Sequence, residues 1–175
     1  MRVYGDSKLE EKIINKIVEI IGDVNFIYDG KKAINLLGNM HEWEEGYAIT
    51  VHKSLKDLAS ILKRTETYPS YFKFINDFNE KHSTNFSSLG NPDSLTSDIC
   101  IMYKNKGGSV DKLYIEINAN YTHKALTTKK RDAIKKFILE KNGYIEDEKF
   151  FVVDENTQES WMDIFIGDAI EKLKA

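Results

Sequence analysis

Cysteine is nearly absent from this chain, whose 175 residues include only Cys100. A lone thiol excludes an intrachain disulfide framework, points to a reducing compartment, and leaves too few thiolates for the common structural zinc sites. Proline is scarce as well, with Pro69 and Pro92 only, and 41% of the residues are hydrophobic, so an ordered globule is expected rather than a Pro-rich linker or tail. Nothing approaches the ~18 uncharged apolar residues that a membrane-spanning helix needs. The opening Met-Arg-Val-Tyr-Gly-Asp has no apolar core of signal-peptide length. These absences lead us to expect a cytoplasmic protein with no membrane partner.

An excess of positive charge is lacking too. Lys and Arg number 25 against 28 Asp and Glu, a net charge of −3, which counts against a nucleic-acid coat protein, because such binders gain affinity by neutralising phosphates. The distribution is uneven, however. Lys124, Lys129, Lys130, Arg131, Lys135, Lys136 and Lys141 fall within one short stretch that holds only Asp132 and Glu140 as acids. A solvated helix face explains such a run as well as a phosphate-tracking one does.

The pattern along the chain alternates helices with strands. Ser7-Lys8-Leu9-Glu10 is a capping box, and Leu9, Ile13, Ile14, Ile17, Val18 and Ile21 follow at helical spacing until Gly22. Residues 23–28 read as a strand closed by an Asp29-Gly30 turn, and 47–52 as another, with the acidic segment 41–45 between them. Ser54 caps a helix to about Arg64, and Pro69 opens one to about His82 whose aromatic face, Tyr71, Phe72, Phe74, Ile75 and Phe78, is read as core before cofactor pocket. Residues 83–97 form the longest loop. Asp98 to Tyr103 and Leu113 to Asn118 make a hairpin about Gly107-Gly108, 127–142 a helix stopped by Gly143, 149–154 a strand, and a last helix starts near Gln158. The resulting fold class is α/β, a mixed sheet flanked by helices in one domain.

The chemistry concentrates between Ser97 and Tyr144. Asp98 begins one hairpin strand and Glu116 lies near the end of the other, so the two carboxylates fall within one or two residues of register. Such a pair of hard oxygen ligands suits Mg²⁺ or Mn²⁺ beside a phosphodiester. A symmetric two-residue turn at Gly107-Gly108 would set Asp98 opposite Ile117, on the wrong face for Glu116, so this reading requires an odd-length loop or a bulge. Surface carboxylates at strand ends are the plainer alternative, although Glu116 interrupts an Ile-Glu-Ile run where an uncompensated charge is costly. Asn118 shares the face of Glu116. His123 is either a solvent-facing loop residue or a proton-handling group for the scissile phosphate. His41, His52 and His82 have no partner at ligand spacing.

The string Tyr114-Ile-Glu-Ile-Asn-Ala-Asn-Tyr-Thr-His123, with Lys129-Lys-Arg-Asp-Ala-Ile-Lys135 and Leu139-Glu-Lys-Asn-Gly-Tyr144, resembles the PD-(D/E)XK nuclease-like superfamily. The similarity is to its branch of very-short-patch repair endonucleases and extends over roughly residues 95–155. It implies a restriction-endonuclease-like core, with Asp98 and Glu116 as metal ligands, His123 near the position where a Lys or Gln often acts, and Glu10 or Glu11 of the first helix joining the site. Residues 30–90 would be a helical insertion or specificity region. The chain departs from the signature in Asn118, which replaces its acidic or Lys residue, in Ala119, which replaces a glycine, and in Pro92-Asp93, which lies in a loop.

Two functions from different classes follow. The first is a Mg²⁺- or Mn²⁺-dependent DNA endonuclease of a restriction, repair or mobile-element system. In it Asp98 and Glu116 hold the metal, Asn118 and His123 position water or phosphate, and Lys124, Lys129, Lys130, Arg131 and Lys135 track the DNA backbone; cutting both strands would suit a homodimer. The second is a nuclease-like fold without catalysis that binds DNA or inhibits a protein partner. An RNA-directed nuclease is a third reading.

Overall fold

Ile13, Ile14 and Ile17 recur at helical spacing and all three are buried, so the first apolar stretch folds as α1 (Lys8–Ile21) with one face in the core. Its stop is Gly22, at φ +80°, whose N–H donates to the Val18 carbonyl at 2.9 Å. That left-handed geometry is open to glycine without steric cost. The computed structural model describes residues 8–22, 24–28, 44–60, 68–89, 95–118 and 126–174. Ser7, the Asp29-Gly30 turn, His41, Pro92-Asp93, His123 and Lys124 lie outside the described residues.

Among the described residues five strands follow, β1 (Val24–Tyr28), β2 (Gly46–Ser54), β3 (Thr96–Lys104), β4 (Val110–Ile117) and β5 (Phe150–Val153), hydrogen-bonded in the order β1-β2-β3-β4-β5. β1 pairs parallel with β2, β3 antiparallel with β4, and β4 parallel with β5. The sheet is therefore mixed and the fold α/β, as the alternation of elements predicts. The helices are α2 (Lys56–Ala59), α3 (Tyr68–His82), α4 (Leu126–Lys141), α5 (Glu159–Trp161) and α6 (Gly167–Lys172), the last two joined by a π-helical stretch, Met162–Ile166. Among the described residues no helix is long and apolar enough to cross a membrane.

The chain forms two units. The first comprises Met1–Lys53, Ser97–Tyr121 and Tyr144–Ala175, and the second Ser54–Thr96 and Thr122–Gly143. The expected insertion region thus supplies most of the second unit, but the basic helix α4 belongs to it as well.

In the first unit, strand alternation divides the hairpin. Ile99, Ile101, Leu113 and Ile115 join Ile13, Ile14 and Ile17 of α1 and Met162, Ile166 and Ile170 of the C-terminal helices in one apolar cluster. Tyr47 packs there too, and its hydroxyl donates to the Ile170 carbonyl at 2.8 Å. Burial pushes that phenol up to about 12. On the alternate face lie Cys100 and Tyr114, both buried, with the Tyr144 ring edge-on to Tyr114, 4.8 Å between centroids. Desolvation raises the Cys100 thiol to about 12, so thiolate is negligible at neutral pH and the folded protein is expected to leave a disulfide thiol reagent unreacted at pH 8. Reagent titration checks this: one thiol should appear on denaturation and none before it.

The second unit is built on aromatic packing. Phe74 of α3 stacks on Phe137 of α4, with 4.7 Å between centroids and 21° between planes, and Tyr71 lies 5.8 Å from the same ring. Tyr71 and Phe74 of the stretch read as core thus pack against α4, and Ile75 and Phe78 are buried, whereas Phe72 is exposed at 53% and does not belong to the core. Asn142 Nδ2 donates to the carbonyls of Leu58, at 3.1 Å, and Ile138, at 2.8 Å, tying α2 to the end of α4. Ser54 takes part in the start of α2 by accepting the Lys56 N–H, but the residue at the cap position itself is Leu55. The loop after α3 is held by Asn79, whose side chain accepts from Thr84 Oγ1 and the Phe86 N–H and donates to the Phe86 carbonyl.

Candidate active site

The hairpin loop decides whether the two carboxylates can cooperate. The ladder runs from Ile99↔Ile115 to Lys104↔Val110, leaving the five residues Asn105–Ser109 in the loop. Asn105 organises it: its carbonyl accepts from the Gly108 N–H at 2.9 Å, its Oδ1 accepts from the Ser109 N–H at 3.0 Å, and Gly108 sits at φ +86°. The loop is odd in length, so extending the register by one pair sets Asp98 across from Glu116. Both then alternate onto the face opposite Ile99 and Ile115.

Asp98 is half-buried and Glu116 only 5% exposed. Asp98 Oδ2 accepts the Ile117 N–H at 2.8 Å, taking the place of a ladder bond at the hairpin's open end and fixing the carboxylate against β4. Removing that acceptor leaves a part-buried amide unpaired, which costs about 1–3 kcal/mol. Asp98→Ala is therefore expected to lower the thermal midpoint and Asp98→Asn, which keeps an oxygen acceptor, to lower it much less; calorimetric melts of the two variants compare them. The pairing with β5 continues past β4, because the Asn118 N–H donates to the Val153 carbonyl at 2.8 Å. Asn118, half-buried, thus extends the alternation that carries Glu116.

The first helix behaves differently from the expectation. Glu10 is buried at 6% and Glu11 only half-buried, so Glu10 is the one turned inward. Its Oε1 lies 3.6 Å from His52 Nε2 on β2. His52 has φ +56°, a left-handed residue inside a strand, which is rare outside glycine and re-aims the side chain as a bulge does. α1 packs on the face formed by Ile99, Ile101, Leu113 and Ile115, whereas Asp98 and Glu116 alternate onto the other. The expectation that Glu10 or Glu11 joins Asp98 and Glu116 gains no support: among the described residues no group of three or more His, Cys, Asp or Glu is disposed to hold a metal ion.

His52 is what sequence reasoning missed. The sequence shows no partner for it at ligand spacing, and its neighbour in space is 42 positions away in α1. No local pattern marks that contact, because it joins segments far apart in the chain through a residue at positive φ.

In the second unit, Lys129 and Arg131 of α4 are exposed and Lys130 is half-buried, its ammonium 4.0 Å above the Phe86 ring. Lys135 is buried at 7%, which corrects its assignment to the phosphate-tracking row: a lysine enclosed by protein does not present its ammonium to a backbone. Lys136 and Lys141 are the exposed cations further along α4, and Lys136 spends part of its charge on Glu140 at 3.9 Å.

A two-carboxylate arrangement is compatible with Mg²⁺, which keeps several waters and is held by one or two carboxylates together with substrate phosphate oxygens. Comparison with known proteins adds no assignment: no family model matches the chain, and neither a curated protein nor a solved structure does.

Proposed function

We propose that the chain is a Mg²⁺- or Mn²⁺-dependent nuclease acting on phosphodiester bonds in DNA. The observation that carries this reading is the register of the hairpin, whose ladder ends at Ile99↔Ile115, so that Asp98 and Glu116 are the next residues on the two strands. The succession β3, β4, α4, β5, with β3 and β4 antiparallel and β5 parallel to β4, supports it, because the two carboxylates stand on the hairpin and the basic helix follows it in the chain.

Asp98 and Glu116 would hold the ion, which supplies charge neutralisation and a water of lowered pKa. The Ile117 N–H holds Asp98 in place, so that its second oxygen is the one turned to a ligand. Asn118 offers an amide that can donate to a phosphate oxygen, in a position where the resembling family carries a charged group. His123 keeps the role of proton handling for the scissile phosphate. Lys129, Lys130 and Arg131 on α4 are the cations for the strand backbone. The test is cleavage of supercoiled plasmid, linear duplex and RNA in Mg²⁺, Mn²⁺ or EDTA: DNA cleavage that needs the ion supports the reading, and ion-independent or absent cleavage of DNA removes it.

A second reading, a nuclease-like protein that binds without cutting, is favoured by one observation. Asp98 already spends an oxygen on the backbone amide of Ile117, beside an Asn118 that cannot serve as a water-activating cation. Calorimetry separates the two: Mn²⁺ heat that disappears in Glu116→Ala belongs to the nuclease.

A further inference from the structure

The second unit contains a groove of about 520 Å³ between α3 and α4, floored by Phe74, Phe78 and Ala133. Its size falls within the ~300–1,000 Å³ of small-molecule sites. The walls carry charge of both signs from both helices: Asp77 and Lys81 from α3, Lys129 and Asp132 from α4. That combination is selective about its occupant. A docking helix would want an unbroken apolar strip, a bare anion would be repelled by the two carboxylates, and a cation by the two ammonium groups. A planar aromatic ligand that carries both an anion and hydrogen-bond donors satisfies all three surfaces.

We propose that this groove takes one unpaired nucleotide of a nucleic-acid strand, with an amino-bearing base against Phe74 and its phosphate at Lys81 and Lys129. Phe74 is suited to stacking because Phe137 fixes its plane from behind, at 4.7 Å and 21°, so the ring is a preformed platform. Base-on-aromatic stacking is tolerant of sequence, since every base has a π-face. Selectivity comes from Asp77, which is exposed at the rim. Carboxylates accept from exocyclic amino groups, as of cytosine, and have nothing to accept from the corresponding carbonyl of thymine. The occupant is a strand and not a free nucleotide because cations continue along α4 beyond the groove. Lys136, exposed, lies seven residues past Lys129 and so returns to the same side of the helix. One nucleotide needs two lysines; a row calls for successive phosphates.

The inference extends the nuclease reading but does not require cleavage, and it is measured in EDTA so that the two fail separately. Fluorescence anisotropy would follow labelled ten-nucleotide strands of deoxycytidine and of thymidine, a blunt duplex, and deoxycytidine monophosphate as competitor. The expected result is binding of the cytidine strand about tenfold tighter than the thymidine strand. Asp77→Asn, whose amide can donate to thymine, should erase that preference. The double variant Lys81→Gln/Lys129→Gln should weaken both strands several-fold and flatten the salt dependence. Circular-dichroism melts confirm that each variant is folded; none of these side chains lies in the apolar core, and Phe74→Leu serves as a further probe of stacking. Equal affinity for the two strands, unchanged binding in the double-lysine variant, tighter binding of the duplex, or displacement by the mononucleotide at equal concentration would each overturn the proposal.

Discussion

Glu116→Ala is expected to lower Mg²⁺-dependent cleavage of supercoiled plasmid by more than about 100-fold, because even outer-shell partners of metal ligands cost ~10–100-fold when removed. Glu116 is the sharper probe of the two carboxylates. Asp98 has a structural role through the Ile117 N–H, so a loss of activity in Asp98→Ala mixes chemistry with stability. Asp98→Asn restores the amide's acceptor without the charge, and should be as inactive as Asp98→Ala while melting close to wild type. Glu116→Gln keeps shape and removes charge, and should match Glu116→Ala in activity. Gel assays in Mg²⁺ and Mn²⁺ beside thermal melts make the comparison. If the Glu116 variants cut as the wild type does, the facing carboxylates are structural.

Ile115→Ala should produce the largest loss of stability. Ile115 is fully buried on β4, in the apolar cluster shared by α1, β3, β5 and the C-terminal helices. Truncating a buried isoleucine to alanine costs about 2–5 kcal/mol, since the cavity collapses only in part. For a chain of this size each kcal/mol moves the midpoint by roughly 2–4 °C. A drop of about 4–20 °C is therefore expected by differential scanning calorimetry, whereas an exposed truncation such as Ile164→Ala, at 64% exposure, should move it by far less. Ile115 and Glu116 are neighbours on opposite faces of one strand, so the pair separates core from site: the first variant should lose stability with its register intact, the second activity. A melt of Ile115→Ala within a degree of wild type would show that the cluster is not the core.

Much of the architecture was legible because apolar periodicity is a direct record of burial. Ile13, Ile14 and Ile17 announced α1, the run after Asp98 announced β3, and Gly22 marked a helix stop that the structure places at φ +80°. Gly107-Gly108 suggested a two-residue connection, but Asn105 closes a five-residue loop with its carbonyl and side chain, and that difference reverses which face Asp98 occupies. The requirement for an odd loop had been visible; which residue would supply it was not. The Glu10–His52 contact was invisible for a different reason, since it joins distant segments through a left-handed residue in the middle of β2. Lys135 looks like its basic neighbours in the sequence, yet it is buried at 7%. The division into two units was hidden as well, because no Pro- or Gly-rich linker marks where the chain passes between them.

Anomalous diffraction from a crystal soaked in Mn²⁺ bears most directly on the facing carboxylates. A peak bonded to one oxygen of Asp98 and one of Glu116, at close to the ~2.1 Å that Mg²⁺-type octahedral sites require, is the expected result. A peak held by Glu10 and His52 instead, or clear density for both carboxylates with no ion between them at saturating Mn²⁺, would contradict it.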